Sequence, residues 1–331
     1  MPIKNYPLSI APMMDRTHRP FRFFMRLITK KTLLYTEMIP ADAICYGDRD
    51  RLISFHESEH PIVLQIGGSK LNLLKEAAKI VEDYGYDEIN LNVGCPSDRV
   101  QEGKFGVCLM KEPDLVAELM DGMQQSVDIP VTIKHRIGVD DLDDYDSLAK
   151  FVKTIADTGC LRFSVHARKA ILKGLSPKDN RTIPPLNYEF VYQLKKDFPE
   201  LTIEINGGIS TLKEAQEHLK FVDSVMLGRA AWDNPFLFAE ADSLIFDVDS
   251  INSSREQIIE EYCDYIEDQL IHSRCPFSLL LQPLFNIYTG QKGAAKWRRF
   301  LSENGFKNKT NTNVVKDAIQ MMQDYLNTIS D

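Results

Sequence analysis

Short, β-rich apolar runs alternate along the chain with longer segments whose apolar residues recur every three or four positions. This is the pattern of βα units around a parallel sheet. Eight runs predict strands: Leu8–Ala11, Leu33–Glu37, Ile62–Ile66, Glu88–Asn92, Val131–Lys134, Arg162–His166, Thr202–Asn206 and Ser224–Leu227. Between them Leu71–Tyr84, Pro113–Val127, Tyr145–Thr158, Tyr188–Phe198 and Leu212–Leu219 predict crossover helices. Eight strands suit either a closed barrel or an open doubly wound sheet. No G-x-G-x-x-G follows the first strand, and polar residues recur at the ends of many strands. A barrel gathers all such ends on one rim, so the expected α/β fold is a (β/α)8 TIM barrel.

After Asn234-Pro235 the alternation stops, and the Ser-rich stretch from Asp249 to Ser254 reads as a linker ending in a helix N-cap. Only helical periodicity follows, which predicts a C-terminal all-α helical domain. The expected division is a catalytic barrel over 1–245 and a helical domain over 254–331. A chain of 331 residues with 44% apolar content accommodates both.

Barrel enzymes carry their chemistry on the C-terminal ends of strands and the loops that follow. That places Pro12, Met13 and Met14 after the first strand, Gln65 at the end of the third, and Asn92 with Cys95 around the fourth. Lys134, His166, Asn206-Gly207-Gly208 and Gly228-Arg229 close the last four. Glycine turns after the last two strands match the usual phosphate site of such barrels, with Arg229 as countercharge. Lys134 emerges from an apolar run, so its ammonium belongs at the barrel mouth. Cys95 sits in a Gly-Cys-Pro turn, and an ordinary thiol there holds a proton it can donate at neutral pH.

Six cysteines without C-x-x-C spacing argue against a zinc site and against a dense disulfide framework, so no metal is expected. No run of about 18 apolar residues occurs, and MPIKNYPLSIAPMM lacks the marks of a signal peptide. A cytoplasmic protein with no membrane association is the expectation. The net charge of −9 does not suggest a nucleic-acid partner. Two stretches depart from that total. Thr289–Lys316 has Lys292, Lys296, Arg298, Arg299, Lys307, Lys309 and Lys316 against Glu303 alone, and Leu161–Arg181 has six basic residues against Asp179. Lys292, Lys296 and Arg299 are spaced to share one helix face, with Arg298 beside them.

Taken together, these residues resemble the tRNA-dihydrouridine synthases, and within them the bacterial A type that acts at positions 20 and 20a of the tRNA D-loop. The resemblance rests on APMMD at 11–15, LLYTEM at 33–38, HPIVLQIGG at 60–68 and DEINLNVGCPSDRVQEGKFGVCLM at 87–110. It continues through HARKAILKGLSPKDNRTIPPL at 166–186, INGGI at 205–209 and KWRRFLSEN at 296–304, nearly the whole chain. Two positions depart from the pattern: Met14 where leucine is usual, and His135 where threonine is. The first exchange is conservative in volume, and the second is silent if His135 points out of the barrel.

The resemblance implies FMN held by Pro12, Met13, Met14, Gln65, Lys134, His166, Asn206, Gly207, Gly208, Gly228 and Arg229, with NADPH as reductant. It implies hydride transfer from flavin N5 to uracil C6 and a proton from Cys95 to C5. Asn92 and Arg168 are candidates for holding the uracil edge, and Arg181, Lys292, Lys296, Arg298 and Arg299 for gripping tRNA phosphates. A monomer is expected. The rival readings are another FMN barrel that reduces a free pyrimidine, a dihydroorotate-dehydrogenase-like enzyme, and a catalytically silent RNA-binding barrel. The basic helical segment speaks against the first, and a rim thiol beside Lys134 and His166 against the second.

Overall fold

The computed structural model describes residues 4, 6–305 and 311–328. Eight parallel strands close in sequence order into a barrel: β1 (Leu8–Ile10), β2 (Leu33–Pro40), β3 (Ile62–Gly67), β4 (Glu88–Val93), β5 (Val131–Arg136), β6 (Arg162–His166), β7 (Thr202–Asn206) and β8 (Ser224–Leu227). All eight fall where the hydrophobic pattern puts them. The crossover helices Leu71–Asp83, Pro113–Gln124, Tyr145–Ala156, Tyr188–Asp197 and Leu212–His218 do as well. β2 and β5 run further than predicted because pairing carries them on: Pro40 pairs with Gly67, and Arg136 with His166.

The barrel interior has two unlike sides. Ala11, Leu33, Tyr35, Val63 and Met226 form a buried apolar cluster. Opposite them stand Glu88, Asn90, Thr132, Arg162, Ser164 and Glu204, all buried and polar. They are tied together: Glu204 accepts from Ser9 Oγ at 2.6 Å and from Ser164, and Glu88 pairs with Arg162 at 3.0 Å. Unpaired charges at such depth are costly, which explains why each carboxylate has its donors.

The chain divides into two compact units, one of residues 1–17 and 32–228, the other of 18–31 and 229–331. This differs from the expected boundary between 245 and 254. The second unit begins at Arg229 and also takes in helix Arg19–Ile28, which the hydrophobic pattern did not reveal. That helix is capped by His18 and packs through aromatic side chains, with Phe23 stacked on Tyr265 at 3.9 Å and Phe21 against Trp232 at 5.2 Å. Asp242 holds its C-terminal end, accepting from Thr29 Oγ1 at 2.7 Å and from the Lys30 amide at 2.7 Å. Ser254 caps helix Arg255–His272 through a capping box with Gln257, in agreement with the predicted N-cap. Among the described residues no helix is long and apolar enough to cross a membrane.

Candidate active site

In-register parallel pairing brings the strand ends to one rim. Gln65 lies opposite Asn90, Asn92 opposite Lys134, Arg136 opposite His166, and His166 opposite Asn206. Side chains two apart on a strand share a face, so these residues converge on the barrel mouth.

Cys95 stands on a turn built by its neighbours. Asn92 Oδ1 accepts from the amides of Gly94 at 3.1 Å and Cys95 at 3.0 Å, and the Cys95 carbonyl accepts from the Val107 amide at 3.1 Å. Gly106 is required beside it: its φ is +61°, and a Cβ there would lie 2.7 Å from the Cys95 carbonyl oxygen. The thiol is free, half-buried, and 3.6 Å from Ser97 Oγ. The other five cysteines are also free, and burial pushes each of their thiols up, Cys160 and Cys263 to about 12. A raised thiol holds its proton more tightly and is a poorer nucleophile.

Lys134 Nζ donates to Asn206 Oδ1 at 3.3 Å, and Asn206 Nδ2 donates to the Met226 carbonyl at 2.8 Å. Burial, reinforced by Arg136, brings the Lys134 ammonium down to about 8. Arg136 itself is buried. Its Nε donates to the Gly94 carbonyl at 2.9 Å, and Nη1 donates to the carbonyls of Asn180 at 2.9 Å and Lys169 at 3.2 Å. Between the two cations His135 packs outward against Phe151 and Phe163, and burial lowers its imidazole to about 4.

Gly207 and Gly208 have φ of +122° and +74°. A Cβ on Gly207 would fall 2.7 Å from His166 Cδ2, and one on Gly208 2.6 Å from a Leu186 methyl. The turn is therefore pressed against the imidazole, and Tyr188 donates to the Gly207 carbonyl at 2.7 Å. Met13 approaches Gly228, its Sδ 3.9 Å from where a Cβ would stand. Pro12 and Met13 are half-buried, whereas Met14 is 53% exposed and Arg229 is exposed at the start of a short helix.

Gln65 is enclosed: Nε2 donates to Asn90 Oδ1 at 2.9 Å and Oε1 accepts from Asn92 Nδ2 at 2.7 Å. Arg168 turns to the loop that follows it, donating to the carbonyls of Thr182 and Pro184. Arg181 is exposed. On the helical unit the expected shared face breaks, because Gly293 caps helix Ala294–Asn304 at φ +89° and leaves Lys292 outside it. Lys296 lies over the Tyr325 ring at 4.4 Å, Arg299 pairs with Glu303 at 2.7 Å, and Arg298 is half-buried. Lys307 and Lys309 lie outside the described residues. Among the described residues no group of acidic, histidine and cysteine side chains is disposed to hold a metal ion.

Sequence reasoning placed Asn90 on the rim without giving it a role, and it missed Arg136 and Gly106. Arg136 was legible in principle as the residue two beyond Lys134, on the same face of β5.

Fold and rim together define a (β/α)8-barrel enzyme whose thiol, ammonium and imidazole share the C-terminal mouth of the barrel. A family model described as dihydrouridine synthase (Dus) matches residues 9–323. The chain belongs to the dihydrouridine synthase family and is an oxidoreductase. It is similar to the tRNA-dihydrouridine(20/20a) synthase of Synechocystis sp., 54% identical over 314 residues that cover 95% of this chain and 94% of that one. The proteins of that name in Shewanella oneidensis and Escherichia coli are 50% and 48% identical, with 95% and 96% of this chain covered and 93% and 96% of theirs. Among solved structures, a 2-naphthoyl-CoA reductase in complex with 2-naphthoyl-CoA shares the fold at a TM-score of 0.53 and 10% identity. That match covers 72% of this chain and 51% of the reductase.

Proposed function

We propose that this chain reduces the C5–C6 bond of uridine in the D-loop of tRNA, at positions 20 and 20a, to 5,6-dihydrouridine, with FMN as cofactor and NADPH as reductant. The observation that carries the reading is the Cys95 turn, a half-buried thiol whose backbone is fixed by Asn92 at a barrel mouth lined by Lys134 and His166.

The residues present fit a flavin phosphate. Gly207 and Gly208 form a turn that tolerates no Cβ, which lets the backbone come close to an anion, and Gly228 and Arg229 add a second small residue and a cation. Lys134, His166, Gln65 and Asn206 supply polar groups toward the ring, and Pro12, Met13 and Met14 apolar ones. When bound, FMN supplies from N5 the hydride that saturates uracil C6. A positive charge at Lys134 favours the anionic form of a reduced cofactor. Cys95 Sγ holds the proton for C5, while Asn92 and Arg168 orient the base.

A base inside folded tRNA has to be extruded to reach such a mouth, at a cost of a few kcal/mol that backbone contacts offset. Arg181, Lys292, Lys296, Arg298 and Arg299 are the proposed phosphate contacts, with the unit of residues 1–17 and 32–228 as the catalytic part and the helical unit of residues 18–31 and 229–331 as the tRNA-binding one. The test combines a visible spectrum of the purified protein with dihydrouridine assayed in tRNA after incubation with NADPH. The reading expects a yellow protein that forms dihydrouridine, and a Cys95→Ala variant that keeps its flavin and loses most of the activity. A colourless protein, or a flavoprotein that reduces free pyrimidines and leaves tRNA untouched, would overturn it.

A further inference from the structure

Inside the barrel an unbroken line of side-chain hydrogen bonds runs from the buried ion pair to the Cys95 turn. Arg162 Nη1 donates to Glu88 Oε2 at 3.0 Å, and Glu88 Oε1 accepts from Thr132 Oγ1 at 2.6 Å. Thr132 Oγ1 in turn accepts from Asn90 Nδ2 at 3.0 Å. Asn90 Oδ1 accepts from Gln65 Nε2 at 2.9 Å, and Gln65 Oε1 from Asn92 Nδ2 at 2.7 Å. The line ends at Asn92 Oδ1, which accepts from the Gly94 and Cys95 amides.

Every link has a direction. A carboxylate only accepts, so Thr132 commits its single proton to an acceptor, either Glu88 or the Ile89 carbonyl at 3.3 Å. Its lone pair then calls for the amide nitrogen of Asn90. That choice turns Asn90 Oδ1 toward Gln65, Gln65 Oε1 toward Asn92, and Asn92 Oδ1 toward the turn. An amide reversed anywhere along the line would set nitrogen against nitrogen or oxygen against oxygen in a buried site, where such mismatches are not relieved by water.

We infer that Glu88, Thr132, Asn90 and Gln65 are positioning residues that fix the orientation of the Asn92 amide and through it the placement of Cys95. Glu88 and Asn92 are four residues apart on β4, about 13 Å, so the effect travels through the line and not by contact. The positioning stands on the geometry alone, while its use in proton donation rests on the function proposed above.

The test is a suppression experiment on the purified full-length protein. Asn92→Asp puts a carboxylate against Gln65 Oε1, oxygen facing oxygen, and relief requires Gln65 and Asn90 to turn over. Glu88 blocks that reversal, because Thr132 would have to withdraw its proton from the carboxylate. Glu88→Gln permits it: the new amide donates to Thr132, Thr132 donates to Asn90 Oδ1, and Gln65 Nε2 donates to the carboxylate introduced at position 92. The readout is the rate of iodoacetamide alkylation at Cys95, followed by mass spectrometry of its peptide at mildly alkaline pH, with thermal midpoints recorded in parallel.

Asn92→Asp alone is expected to change the rate by about threefold to tenfold, the equivalent of one net hydrogen bond. The double variant Glu88→Gln/Asn92→Asp carries the same carboxylate at position 92, so its charge acts alike in both, and the double variant is expected to move at least about threefold back toward the wild-type rate as the amide line reverses. Should Glu88→Gln fail to fold, Thr132→Val serves in its place, since it leaves Asn90 able to turn either way and keeps the ion pair. A double variant that reacts like Asn92→Asp alone, or an Asn92→Asp rate equal to the wild type, would overturn the inference. Alkylation requires no turnover, so this outcome is separate from whether Cys95 protonates uracil.

Discussion

Arg136 Nε donates to the carbonyl oxygen of Gly94 at 2.9 Å, which ties the end of β5 to the turn that carries Cys95. The same guanidinium reaches Lys169 and Asn180 in the loop after β6, so one buried cation joins two rim loops. Burial brings it down to about 10, still ionised at neutral pH.

Replacing Arg136 by Met therefore leaves three carbonyls without their charged donor. Hydrogen bonds to charged groups are worth about 1.5–3 kcal/mol each, and losses within one network do not add. The expected result is a lowered thermal midpoint and faster proteolysis within 169–186. Arg136→Lys, with a single ammonium in place of a fork, is expected to restore only part of the resistance. A limited-digestion time course checks both.

Gly207→Ala is expected to cost about 1–2 kcal/mol through its left-handed backbone and to displace His166, which a Cβ would approach to 2.7 Å. Gly174→Ala is the control, because its φ is +86° with nothing within 4 Å of the added carbon. Both variants should lose stability. Only Gly207→Ala should also lose flavin, as measured by the absorbance ratio of the purified proteins.

Lys134 gives two pH dependences of opposite sense. Its ammonium titrates at about 8, against 10.5 for an ordinary lysine. The rim charge is present below about 8 and lost above it, so flavin retention is expected to weaken as pH rises through that value, and Lys134→Met should abolish the dependence. Stability moves the other way. Between about 8 and 10.5 the unfolded chain binds more protons than the native one, so the Lys134 contribution to stability rises with pH across that interval. Flavin-free Lys134→Met is expected to melt above the wild type at neutral pH, with the gap closing toward pH 10.5. Melting curves at both ends of the interval decide it.

On the helical unit, neutralising Lys292 and Arg298 together should raise the KM for tRNA while kcat at saturating tRNA holds. The slope of log affinity against log salt is expected to become shallower by about 0.7–0.9 for each phosphate that is no longer neutralised. Arg299→Ala should do less, because Glu303 already offsets its charge at 2.7 Å. Filter-binding titrations at several salt concentrations measure these slopes.

The barrel was legible because eight strands buried on both faces leave a strong apolar trace, and five of the helices that cross between them are two-faced. The rim was legible where position along a strand was enough, as for Cys95, Lys134 and the Gly207-Gly208 turn. Arg136 escaped because the apolar run that marks β5 ends at Ile133, while pairing with β6 extends the strand to Arg136. Helix Arg19–Ile28 went unread although its arginines at 19, 22 and 26 are spaced to share one face, and Arg22 and Arg26 are themselves buried. The shared basic face of Lys292, Lys296 and Arg299 assumed one continuous helix, and the left-handed backbone of Gly293 starts that helix too late to include Lys292.

Because helix Arg19–Ile28 packs with helices that the chain reaches only after Arg229, the helical unit is the last part of the molecule able to assemble. At a synthesis rate of roughly 5–20 residues per second, Phe23 and Phe24 wait on the order of ten to fifty seconds for Tyr262 and Tyr265 to emerge. During that interval the nascent chain carries an aromatic helix without its partners, a natural point of attachment for a chaperone. A truncation that ends at Gly228 would make that state permanent.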